Sequence, residues 1–212
     1  SQHFMGQVKG YTFSSPSGKP DQEILNIVTG ALDKVAKDIP ALKRSLGNVI
    51  FGSVPEVAES DIVGMKQVLR LDAASWANRA SIQRILDDAM RIGHTRNAAG
   101  PEFIIAHEAG HAVHNMLAIQ RGNITGFSNA LMKARFIQEW KKITEEAYEA
   151  AFTHESFEEI MAAIDTEMGS RAIILPQEFI AQSFGMAYYG VGDHPIADKV
   201  LQYLIRQFKN GR

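Results

Sequence analysis

Apolar residues return at helical spacing through most of this chain and alternate over only two short stretches. Ile24, Ile27, Val28, Ala31, Leu32 and Val35 recur every three or four positions. This predicts a first helix, N-capped by Asp21, running to about Lys37 and stopped by Pro40. Residues 48–51 (NVIF) are β-branched or aromatic and lie between glycines, which predicts a short strand. Residues 66–71 (KQVLRL) alternate in part and predict a second strand, placed near an edge by their moderate apolar content. The intervening SVPEVAESDIVG reads as a loop, and residues 1–20, with their SSPSGKP run, as a loose entry segment.

From there the pattern is helical. Helices are expected over about 76–90, from Pro101 past Leu117, within 127–151, over 157–168, from Pro176 to about Tyr188, and from Pro195 onward. Gly169-Ser170 and YGVGD are the breaks late in the chain. The expected fold class is therefore α+β, mainly helical, with a small sheet on the N-terminal side and no βαβ array. The expected organisation is a single domain over 21–212, with an N-terminal lobe of about 21–100 and a C-terminal helical lobe of about 101–212.

The helix that opens at Pro101 carries His107-Glu108-Ala109-Gly110-His111, an H-E-x-x-H pattern. Residues four apart leave the same helix face one turn above another, so both imidazoles can meet one Zn2+. Glu108 projects beside them, where it can take a proton from water. Phe103, Ile104, Ile105, Ala112 and Val113 surround the pattern, so the helix is expected to be buried, and buried histidines and glutamate need partners.

A catalytic zinc site needs a third protein ligand. A histidine six positions after His111 would supply one, but that position is Leu117. His114 shares the face of the first two, yet a third ligand one turn further along a straight helix cannot close a tetrahedron; a rim or supporting role suits it better. Glu178 is the favoured candidate. It follows Pro176 in the first turn of its helix, with Ala181 and Gly185 on its face to let another backbone approach, and Phe179, Ile180 and Phe184 for packing.

Composition adds mostly exclusions. The 22 basic and 24 acidic residues leave a formal net charge of −2, which gives no support for nucleic-acid binding. There is no cysteine, so disulfides, thiolate ligands and a cysteine nucleophile are excluded. No apolar run approaches a membrane span and no signal-peptide core is visible, so neither membrane nor export is expected and a cytoplasmic or phage-associated setting is favoured.

HEAGHAV followed much later by PQEFIAQSFGMAYYG resembles the gluzincin metallopeptidases of the anthrax lethal-factor type, and their relatives at the C-terminus of phage minor head proteins. The resemblance extends upstream to NVIFGS and VLRLDAASW, and downstream to HPIADKVLQYLIRQF. It implies a zincin-like fold, His107, His111 and Glu178 as zinc ligands, Glu108 as catalytic base, and a peptide or protein as substrate. Two positions depart from the family. Arg171 stands where a tyrosine usually stabilises the oxyanion, and Gln182 where a glutamate usually supports a ligand histidine. Arg171 is thus expected to donate to the oxyanion, and Gln182 to accept a hydrogen bond from a histidine. The expected function is zinc-dependent peptide-bond hydrolysis. The alternative is a non-catalytic structural or interaction module that keeps the zinc site.

Overall fold

A computed structural model describes residues 3–210; residues 1, 2, 211 and 212, which end the expected ranges, lie outside the described residues. The fold is α+β. Five strands, β1 (Phe4–Val8), β2 (Tyr11–Ser15), β3 (Leu46–Gly52), β4 (Ala58–Val63) and β5 (Lys66–Asp72), form one sheet in the order β1-β2-β3-β5-β4. β2, β3 and β5 run parallel, while the flanking β1 and β4 are antiparallel to their neighbours. The helices are α1 (Gln22–Asp38), α2 (Ala41–Ser45), α3 (Arg79–Arg91), α4 (Glu102–Gly122), α5 (Ala130–Ala151), α6 (Phe157–Met168), α7 (Arg171–Ile174), α8 (Phe179–Tyr189) and α9 (Pro195–Asn210).

Local chemistry sets these boundaries. The Asp21 carboxylate accepts from the backbone N–H groups of Glu23 and Ile24, as expected of the N-cap of α1. Ser156 and Glu159 form a reciprocal capping box at α6. The strand pairs β1–β2 and β4–β5 are joined by the two-residue turns Lys9-Gly10 and Gly64-Met65, all four residues at positive φ, the conformation whose twist suits a hairpin.

α4 is the organising element. Most of its circumference is buried, and it packs against α8, α5, α1 and β4. One hydrophobic cluster runs from Tyr11 and Phe13 through α1, α4 and α8 to Leu204 and Ile205 of α9, so the two expected lobes share a core. At the α4–α8 crossing, Gly110 faces Ala181 and Phe184, and a Cβ on Gly110 would stand 2.9 Å from the Ala181 Cα. Gly185 meets the Phe103 ring equally closely.

Three expectations are corrected. Residues 4–15 are not a loose segment: they form the β1–β2 hairpin, and Tyr11 and Phe13 are buried in the core. The 66–71 stretch is not near an edge: β5 lies between β3 and β4, which explains why Val68, Leu69 and Leu71 are all buried. The stretch read as a loop contains β4, the true edge on that side. A smaller shift concerns α3, which begins at Arg79; Trp76 precedes it in a turn, with its indole N–H donating to the Val57 carbonyl.

Candidate metal centre

The interior position of α4 brings its two histidines against the start of α8. His107 Nε2 lies 2.9 Å and His111 Nε2 2.7 Å from the same carboxylate oxygen, Oε2 of Glu178. Glu178 sits in the 3-10 turn Pro176–Glu178 that leads into α8. The expected ligand trio therefore converges on one point, although 67 positions separate His111 from Glu178. His107, Glu108 and His111 also bring one ligand-type atom each within 4.8 Å of one another. The two carboxylates differ in their partners. Glu178 touches both imidazoles, whereas Glu108 Oε2 is buried with no hydrogen-bond partner.

Gln182 fixes the state of His107. The Gln182 side-chain amide donates from Nε2 to the Met168 carbonyl and to Thr95 Oγ1, each at 3.1 Å. A carbonyl only accepts, so the Gln182 Oε1 must face His107, and at 2.8 Å it requires that His107 Nδ1 carry a hydrogen. In the neutral ring the other nitrogen, Nε2, then holds a lone pair aimed at the Glu178 carboxylate. Two electron-pair donors 2.9 Å apart demand a positive charge between or upon them, either a second proton on His107 or a cation. Two imidazole nitrogens and one carboxylate oxygen form a donor set suited to zinc. The site's chemistry fits the group that the sequence implies.

The electrostatics run the same way. Burial raises the Glu178 carboxyl, but its close contacts with the His107 and His111 imidazoles outweigh it and hold the group well below the usual carboxylate range. Burial lowers the His111 imidazole, and the Glu178 hydrogen bond with the charges of Glu108 and Glu178 more than reverses that, leaving a net rise.

Arg171, at the start of α7, reaches the same place from the other side. Its Nε is 3.8 Å from Glu178 Oε1 and its guanidinium 3.5 Å from the Glu56 carboxylate. Nε is buried and lacks a hydrogen-bond partner, so a donor remains free beside the trio. Gly169 makes this placement possible. It adopts φ 99°, and a Cβ there would strike the His94 carbonyl oxygen at 2.6 Å. The backbone N–H of Arg171 then donates to that carbonyl at 3.1 Å.

His114 is a different kind of histidine. It is buried, stacks on Trp140 at 4.0 Å between ring centres, and meets the Trp140 carbonyl at 2.8 Å through Nε2. Burial pushes its pKa down to about 3, so it stays neutral and ties α4 to α5. The rim or supporting role expected for it is replaced by this structural one.

All five site residues of the sequence reading line one cleft of about 610 Å³. The cleft also takes in His94, Glu56, Ser60 and Asn115, which the sequence reading did not nominate. His94 is lowered by burial and by the nearby Arg171. It sits in the RIGHTRNAAG loop, where no spacing relates it to the H-E-x-x-H pattern. Ser60 belongs to β4 and donates its hydroxyl to the Glu108 carbonyl at 2.7 Å, which fastens the edge strand to α4. A hairpin signal at Gly64-Met65 would have exposed that strand.

Comparisons with known proteins find no matching family model, no matching curated sequence and no matching solved structure. Among the described residues, no helix is long and apolar enough to cross a membrane.

Proposed function

We propose that this chain is a zinc-dependent peptidase. The observation that carries the reading is the convergence of His107, His111 and Glu178 on one point, with the unpartnered Glu108 carboxylate beside it in an open cleft. His107, His111 and Glu178 would hold the metal. When bound, zinc supplies Lewis-acid polarisation of a carbonyl and makes water a nucleophile near neutral pH. The other steps fall to the chain's own groups. Gln182 holds His107 in the tautomer whose Nε2 is free. Glu108 takes a proton from the attacking water and delivers it to the amine nitrogen as the C–N bond breaks. Arg171, with its free Nε–H, donates to the oxyanion. Of the two edges of the sheet, β4 is the one that lines the cleft, and it offers an extended peptide a row of backbone partners. The 66–71 strand, being interior, has no free edge to offer.

The deciding experiment is Glu108→Gln. Zinc content should match that of the parent protein, while hydrolysis of a peptide library disappears. A variant as active as the parent refutes the assignment of the base. A zinc-loaded parent that cleaves nothing favours the structural or interaction module instead.

A further inference from the structure

The cleft does not end at the metal centre. Ser60 and Asn115 line it and also line a second hollow of about 400 Å³, farther along β4. That hollow has an apolar floor made by Ile62 of β4, Phe127, and Phe136 and Ile137 of α5. Phe127 and Phe136 meet edge to face, with ring centres 5.1 Å apart, and together form one side of this open hollow. Ile137 is 50% exposed, so its side chain offers open apolar surface beside the other residues of the floor. The rim carries one charge of each sign, Asp61 and Lys133, so selection falls to the floor.

The register of β4 says what this floor would meet. Successive side chains of a strand alternate faces, so Ser60 and Ile62 share one, separated by about 6.6 Å along the strand. Ser60 is the residue fastened to Glu108. A peptide paired along β4 with its reacting bond beside Ser60 therefore carries its next side chain on the same face to Ile62, two residues away.

We propose that this hollow is a specificity subsite for a large apolar or aromatic side chain, located two residues from the bond that is cut. The proposal rests on the peptidase reading and adds to it the substrate class: extended peptides selected at a position remote from the metal. An apolar side chain there covers Ile137 and completes the wall of Phe127 and Phe136. An alanine there leaves the hollow wet.

The test uses the zinc-loaded full chain and peptides randomised at three positions on each side of the cleaved bond. Phe, Leu, Ile or Met should be enriched over Ala about tenfold or more in kcat/KM at the position two away, on one side only. Ile137→Lys and Phe136→Ala should each collapse that ratio toward one, while zinc content and melting temperature report that each variant is folded. Binding gives a second readout. The Glu108→Gln protein should hold the apolar peptide about tenfold more tightly than its Ala counterpart, and Ile137→Lys introduced with it should abolish the difference. Cleavage without preference at that position, preference only at the residues flanking the bond, or a ratio unmoved by both substitutions overturns the subsite and leaves the peptidase reading standing. No cleavage of any peptide, together with no difference in binding, removes both.

Discussion

Gly110→Ala is a small change with two opposed consequences, and their balance is set by the α4–α8 crossing. Alanine in a helix interior is favoured over glycine by up to about 1 kcal/mol. Against this, the new methyl would stand 2.9 Å from the Ala181 Cα and from the Phe184 Cβ. Neither atom is the end of a flexible side chain, so neither can swing away. Carbon atoms rest at about 3.5–4.0 Å, so α4 and α8 must part by roughly 0.6 Å. Overpacking of this kind costs about 1–3 kcal/mol. The net expectation is a loss of about 1–2 kcal/mol, or a fall in melting temperature of about 2–8 °C for a chain of this size. The larger effect falls on the metal. Ala181 is three residues from Glu178, and ligand distances are held to about ±0.2 Å in a working site. Zinc affinity should therefore drop about tenfold or more, the scale seen when a ligand loses its support. Thermal unfolding of metal-free and zinc-loaded protein gives both quantities, with zinc affinity from competition against a chelator. A variant that is more stable than the parent by the full propensity gain, with zinc affinity unchanged, would show that the crossing is not as tight as described.

Two further outcomes follow from the same centre. Gln182→Leu removes the acceptor that holds His107 Nδ1–H, so zinc affinity should fall about 10–100-fold while the helical circular dichroism is kept; unaltered affinity would show that His107 needs no such partner. The metal-free protein should lose stability as pH rises above about 6.5. His111 is raised above its usual value in the folded chain, so its stabilisation is complete below the unfolded pKa of about 6.5 and is lost as pH climbs through the folded one. The depressed Glu178 adds stability that disappears only in strong acid. Melting temperatures across this range check the sign, and saturating zinc should flatten the slope.

The helical half of the molecule could be read from the sequence because its signals are local. Apolar spacing, the Asp21 cap and the Gly169 break are all short-range, and the corresponding elements lie within a few residues of their expected places. Glu178 was legible for a related reason. A carboxylate beside a Pro-initiated turn, with small residues at 181 and 185 on its helical face, is a pattern within one element. The sheet was less legible. In β1 and β2 the apolar Phe4, Met5, Val8, Tyr11 and Phe13 are interrupted by Gly6, Gln7 and Thr12, and the hairpin turns place Lys9 and Met65 at positive φ, where glycine or asparagine is the usual marker. β4 (AESDIV) places Glu59, Ser60 and Asp61 in succession, so it is too polar to stand out as a strand. Its polarity follows from what it borders. Strand order depends on pairings between distant segments, and so the interior place of β5 has no local signature.

The distance of 67 positions between His111 and Glu178 also sets a timetable. At synthesis rates of about 5–20 residues per second, roughly 3–13 s pass between the appearance of the two histidines and that of the glutamate. Throughout that interval the chain displays a pair of imidazoles and a carboxylate on a helix whose neighbour α8 does not yet exist. Glu108 is then in water, Gln182 is not there to choose a tautomer, and two nitrogens alone hold metal weakly. If the trio holds an ion as proposed, its firm capture awaits the docking of α8 on α4. On the proposed reading, two histidines made early wait for the carboxylate that arrives with the turn leading into α8.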